Sequence, residues 1–233
     1  MATLPAKAPS PRLFAAELLE LPRLMAAPLL GPVEIMPGQG QPIMVLPGFL
    51  AHDVTTIRLR RSLWAAGYSV QGWGLGLNLG ARADLLDRLA MRITAFAVSS
   101  GQPVTLVGWS LGGVFAREVA KLIPHDVRLV ITLGSPFSGD PRANNAWRLY
   151  ELVNDHPVHA PPVDVELAVK PPVPTLALWS RRDGIIPPAC ASGLLGERDE
   201  AIEVECRHLG FAAARSGIQA IGAALARWLQ CSA

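Results

Sequence analysis

Residues 108–113 read Gly-Trp-Ser-Leu-Gly-Gly and follow the apolar run Pro-Val-Thr-Leu-Val at 103–107. A G-x-S-x-G pattern behind a strand and ahead of a helical segment dictates one piece of geometry. The serine sits on a sharp strand-to-helix turn, its oxygen exposed at the carboxyl end of a parallel sheet. So tight a turn strains the backbone of its central residue, and side chains at neighbouring positions would obstruct it. Gly108 and Gly112 remove those side chains, and Gly113 lets the next helix pack closely on the sheet. Ser110 then stands at a helix N-terminus, where free N–H groups and the helix dipole favour negative charge. The N–H of Leu111 would point at the oxyanion of a tetrahedral intermediate.

A serine hydroxyl is a poor nucleophile until a base takes its proton, and in this architecture the chain order is serine, acid, histidine. Of the five histidines, His52 precedes the serine and His125 follows Pro124 in a turn. His156 and His159 lie in a proline-rich stretch with no strand before them. His208 follows the alternating run 201–206 and precedes Leu-Gly-Phe, which places it on a loop at a strand end and makes it the expected base. The acid should end the preceding strand. Residues 173–179 are that strand, and Asp183 follows it in Ser-Arg-Arg-Asp-Gly, where it would orient His208 and stabilise the imidazolium. The competing reading of Asp183-Gly184 is an ordinary turn. Asp155 and Asp164 are weaker candidates. The second oxyanion donor is expected after strand 42–46, where Pro-Gly-Phe-Leu makes the N–H of Phe49 the candidate.

Apolar and turn signals alternate along the rest of the chain. Helices are expected near 12–28, 53–66 (with Asp53 as N-cap), 83–98, 111–123 and 211–229, and strands at 42–46, 68–72, 103–107, 127–133, 173–179 and 201–206. Strand–helix alternation predicts an α/β fold with a mostly parallel central sheet, helices on both faces, and a ligand crevice at the strands' carboxyl ends. In the 12–28 helix, Leu13, Phe14, Leu18, Leu21 and Met25 form an apolar set expected to pack on the sheet edge; a helix in weak contact with a membrane surface, or with a partner, is the alternative. Residues 136–172 contain seven prolines and exceed a simple crossover. They are expected to form a small lid, with Trp147 and Tyr150 offering an apolar wall to the substrate. The glycine-rich loop 72–80 lacks both the phosphate-binding and dinucleotide glycine spacings. It is read instead as passing close to the oxyanion loop, with Asn78 bracing the site and Trp73, Leu75 and Trp109 lining the pocket or the core.

With 233 residues the chain suits a single domain, 1–233, with an N-terminal extension over 1–30. Half of its residues are apolar and the mean hydropathy is +0.30, which buried parallel strands largely account for. The net charge of +2 is spread along the chain, with no basic run suited to nucleic acid. No apolar stretch reaches the ~20 residues of a membrane span, and the N-terminal region lacks the unbroken apolar core of a secretory signal. A cytoplasmic location is therefore expected. Cys190, Cys206 and Cys231 are odd in number and lack metal spacing. No metal or other cofactor is expected.

The segments Val-Leu-Pro-Gly-Phe (45–49), Gly-Trp-Ser-Leu-Gly-Gly (108–113), Trp-Ser-Arg-Arg-Asp-Gly-Ile-Ile-Pro (179–187) and His-Leu-Gly-Phe (208–211) stand in the order and at the strand ends found in one family. The chain resembles an α/β-hydrolase of the small bacterial serine esterase and lipase type over roughly residues 40–230. It departs from that pattern in lacking a His-Gly start to the oxyanion loop and the two antiparallel strands that often open the fold. The resemblance implies a Ser110, Asp183, His208 triad that cleaves a small-molecule or lipid ester through an acyl-enzyme. Acyl transfer to an alcohol uses the same intermediate and is the nearer alternative; a non-catalytic binding protein on the same fold is the more distant one.

Overall fold

The computed structural model describes residues 6–163 and 165–230. Asp164 and Cys231 lie outside the described residues. In chain order the elements are α1 (Pro11–Glu17), α2 (Leu21–Ala26), β1 (Pro42–Leu46), α3 (Ile57–Ala65), β2 (Ser69–Gly72), α4 (Leu85–Ser100), β3 (Val104–Trp109), α5 (Leu111–Leu122), β4 (Val127–Leu133), α6 (Trp147–Val153), β5 (Thr175–Trp179), α7 (Pro188–Ser192), β6 (Glu200–Glu203), α8 (Gly210–Ala213) and α9 (Arg215–Gln230).

The six strands form one parallel sheet in the order β2-β1-β3-β4-β5-β6. Strands buried on both faces send alternate side chains to opposite sides. Ile43 and Val45 of β1 join one core with Leu59 and Leu63 of α3 and Ile218, Ile221 and Leu225 of α9. Met44 and Leu46 join the other, with Leu89 and Ile93 of α4 and Phe115 and Val119 of α5. Those helical residues recur at three- and four-residue spacings, so each helix shows the sheet a single apolar face. Helix α4 stops at Gly101, whose φ of 65° gives a left-handed cap. The mostly parallel sheet covered on both faces is the expected α/β architecture, and no strand precedes β1 among the described residues.

Several local expectations are corrected. The single helix expected over 12–28 is two short ones, because Pro22 starts α2 and its ring cannot continue α1. The expected apolar face of that segment is not buried: Phe14, Leu18, Leu21 and Met25 are all exposed, and the residue that α1 buries is Glu17. Asp53 does not cap the helix after β1. A 3-10 turn over Asp53–Thr56 comes first, capped by the His52 ring, while the Asp53 carboxylate accepts the Trp73 and Gly74 N–H groups, both at 3.0 Å. The C-terminal helix is broken at Ala214, whose backbone is extended.

The chain runs from β1 out to β2 and returns to the other side of β1 as β3. The crevice at such a reversal, outside the strands' carboxyl ends, is where open α/β sheets bind ligands. The loops after β1 and β3, which carry Phe49 and Ser110, meet there.

Candidate active site

Ser110 has φ 53° and ψ −122°, a left-handed conformation that side-chain-bearing residues rarely adopt. Both strand and helix hold it there. Its N–H donates to Leu133 O of β4 at 2.8 Å, and its carbonyl accepts the Gly113 N–H at 3.0 Å. The flanking glycines are sterically required. A Cβ at 108 would lie 2.4 Å from Gly113 Cα, and one at 112 would lie 2.5 Å from Leu46 O. Gly48, on the loop after β1, comes so close that a Cβ there would lie 3.2 Å from Ser110 Cβ.

That loop is held by Asn78, which is fully buried. Asn78 O accepts the Leu50 N–H (2.7 Å), its N–H donates to Ala51 O (2.8 Å), and its side-chain amide donates to Pro47 O (2.9 Å). The Phe49 N–H donates to no group among the described residues, nor does that of Leu111, which opens α5, where N–H groups have no intrahelical acceptor. Both residues line the same cavity as Ser110.

Asp183 and His208 come together although they follow different strands. His208 Nδ1–H donates to Asp183 Oδ2 at 2.7 Å, and both residues are buried. Asp183 Oδ1 accepts the Ile185 and Ile186 N–H groups at 2.8 and 2.7 Å, which fixes the carboxylate. With an acidic partner on Nδ1, the lone pair of the neutral ring lies on Nε2. Gly134, at φ 55°, leaves room for the pair: a Cβ there would lie 2.8 Å from Asp183 Oδ2 and 3.1 Å from His208 Nδ1. Burial pulls the His208 pKa down. The charge and hydrogen bond of Asp183, with the charge of Glu17, outweigh that and leave it above the ordinary histidine value. The Ser110 hydroxyl and the His208 ring are not hydrogen-bonded to each other here. Trp109, next to Ser110, donates its indole N–H to His208 O at 3.1 Å, and the two rings lie 5.9 Å apart.

Ser110 opens onto a cavity of about 490 Å³. Its floor is α5, through Leu111, Val114 and Phe115, and much of its wall comes from the segment 136–172. Trp147 and Tyr150 are on that wall. Tyr150 is tied in place, its hydroxyl accepting the Ala81 N–H (3.1 Å) and its ring lying 5.4 Å from that of Phe49. The far leg of the segment is bolted to α5. Buried Arg117 donates to Leu167 O and Val169 O (3.3 and 3.2 Å), and Lys121 donates to Glu166 O (2.8 Å).

Trp73, Leu75 and Trp109, expected in the pocket or the core, do not line this cavity, nor does Asn78, whose expected place was a brace for the site. Trp73 is buried in the core beneath the glycine-rich loop, and Leu75 faces a separate hollow with Arg88 and Arg92. Trp109 packs in the opposite core, and Asn78 braces the Phe49 loop from behind. His159 does reach the cavity wall, but no carboxylate bonds to it among the described residues. Sequence reasoning missed Glu17, whose buried carboxylate touches the loops of both Asp183 and His208. A glutamate at the end of a short helix gives no signal of burial.

The family described as PGAP1-like alpha/beta domain matches residues 76–165. No curated protein matches the chain. Solved structures do. A metagenome-derived lipolytic enzyme, from work on LipS and LipT, is similar at 14% identity and a TM-score of 0.62, over 86% of this chain and 98% of its own. The monoacylglycerol lipase of Paleococcus ferrophilus is similar at 17% identity and a TM-score of 0.56, over 84% and 97%. An alpha/beta hydrolase from a sediment metagenome of the Mar Chica lagoon, Morocco, is similar at 21% identity and a TM-score of 0.52, over 84% and 93%. At such identities the likeness is one of backbone, and this backbone is that of the α/β-hydrolase fold.

Proposed function

We propose that the protein is a serine hydrolase that cleaves carboxylic esters through an acyl-enzyme. The observation that carries this reading is the strained Ser110 opening onto a largely apolar cavity, with a buried, hydrogen-bonded Asp183–His208 pair on the neighbouring loops. In this reading His208 Nε2 takes the hydroxyl proton as Ser110 Oγ attacks the ester carbonyl. The oxyanion is held by the N–H groups of Phe49 and Leu111, a contribution of about 10²–10³ in turnover for one donor. His208 then protonates the departing alcohol, and water activated by the same ring releases the acid. The serine–histidine hydrogen bond forms as substrate settles, since such bonds are often long in free enzymes. Trp147 and Tyr150 form the wall for the apolar part of the ester, and a small-molecule or lipid ester is the expected substrate.

Fluorophosphonate labelling with peptide mapping tests this, with Ser110→Ala as control. Stoichiometric label on Ser110, lost in the variant, together with ester turnover is the expected result. Folded protein that neither labels nor turns over esters would leave a binding role on this fold in its place.

A further inference from the structure

Helix α1 is built the wrong way round for an element that packs by apolar burial. Phe14 and Leu18 are 48% and 63% exposed, while Glu17 is 4% exposed. The Glu17 carboxylate has no Lys, Arg or His side chain at ion-pair distance among the described residues. Backbone N–H groups satisfy it instead. Oε1 accepts from Gly184 (2.8 Å) and His208 (2.9 Å), and Oε2 accepts from Leu209 (3.1 Å). These donors are not scattered: one follows Asp183, one is His208 itself, and one follows His208.

We propose that Glu17 is a positioning residue for the Asp183–His208 pair, its carboxylate tying the acid turn to the base loop and fixing the distance between them. The role rests on the ester-hydrolase reading above. Three features beside the hydrogen bonds support it. A Cβ at Gly184 would lie 2.3 Å from Leu13 O and 2.9 Å from Glu17 Cγ, so α1 is pressed onto the acid turn. Asn145 adds a second tie, its amide donating to both Gly184 O (2.8 Å) and Pro9 O (3.1 Å). The charge of Glu17 also favours the imidazolium that forms at His208 during attack, adding to that of Asp183. The other charged groups close by are paired among themselves: Glu20 with Arg23 and Arg207, and Arg182 with Glu205. The Cys206 thiol is held neutral by burial.

The test is the hydrolysis of a short p-nitrophenyl ester by the full chain across pH, with rates expressed per mole of folded protein. Glu17→Gln, Glu17→Asp, the control Glu20→Gln, and Ser110→Ala are compared with the parent. Glu17→Gln should lower kcat by roughly 10- to 100-fold with little change in KM, the scale of a small misplacement of a reacting group. Its acid limb should move to lower pH, because removing a negative charge weakens the imidazolium. Glu17→Asp keeps the charge, so it should lose kcat while holding the limb near the parent's position. Parent kcat and limb in Glu17→Gln would overturn the proposal, even with a lowered Tm, since a merely structural carboxylate would affect stability alone. Equal effects in Glu20→Gln would also overturn it. If Glu17→Gln does not fold, Glu17→Asp decides: lowered kcat at unchanged KM supports the role, and parent kcat refutes it. Parent activity no higher than that of Ser110→Ala would end the hydrolase reading and this role together. With Ser110→Ala inactive and Glu17→Gln like the parent, only the positioning role falls.

Discussion

Ser110 keeps a backbone conformation that costs on the order of 1–3 kcal/mol, and the bonds from β4 and α5 on either side of it leave no relaxed alternative. The same over-determination holds Asp183, whose Oδ1 is occupied by two N–H groups while its Oδ2 bonds to His208. Asp183→Asn would keep the shape and lose the charge, allowing the ring its other tautomer. Ester turnover should then fall by about 10⁴ with little change in KM, and steady-state kinetics would show it. His208 can act as a base only when neutral, and its pKa is raised, so the rate should fall as pH drops through that raised value. The acid limb of kcat/KM should therefore lie above the ordinary histidine value of ~6.5; a plateau still intact at about pH 6 would contradict it. Ser110, Asp183 and His208 could be picked out in the sequence because a strained turn needs glycines and because strand ends can be read from apolar runs. The structure brings Asp183 and His208 together and puts Ser110 on the cavity. Glu17 could not be picked out, since its burial depends on three N–H groups remote in the chain. For Trp73 and Leu75 the pocket and the core stayed open alternatives, because a glycine-rich loop shows that backbone passes closely, not which way side chains turn.

At the scale of elements, the interior strands were the most legible, because burial on both faces leaves continuous apolar runs; the edge strand expected at 201–206 runs instead over Glu200–Glu203. The N-terminal helices were the least legible. Their leucines suggested an apolar face, yet the contact that seats α1 is polar. The segment 136–172 carries little regular structure beyond α6, and long-range side-chain bonds to its carbonyls fix its path. Arg117 is central to this. It is fully buried, also donates to Glu197 O at 3.0 Å, and lies 4.1 Å over the Phe137 ring. Burial pulls its pKa down to about 10, which leaves it charged at neutral pH. Arg117→Met would leave those carbonyls without their donor and should cost about 3 kcal/mol, read as a lower urea midpoint. The cavity wall should loosen with it, raising KM for long-chain esters more than for short ones. An unchanged midpoint would mean the segment holds its path without α5.

For the whole molecule, the alternation of strands and helices announced the fold class, but the strand order was not legible, because alternation does not say on which side of β1 the chain returns. That order sets where stability is concentrated. β1, β3 and β4 are interior and almost wholly buried, while β2 and β6 are edges with partly exposed residues. Amide hydrogen exchange should be slowest in β1, β3 and β4 and fastest in β2, β6 and α2, since protection follows buried contact. Comparable rates in β2 and β3 would contradict this. The bonds of Glu17 reach across 167, 191 and 192 residues of sequence. Contacts so distant carry a loop-closure entropy that must be met before they form. During synthesis on the ribosome, Glu17 emerges long before its partners and lacks these bonds until Gly184, His208 and Leu209 have followed. In the proposed role, Glu17 can tie the loops of Asp183 and His208 together only then, so the two loops reach their full register after both have been made.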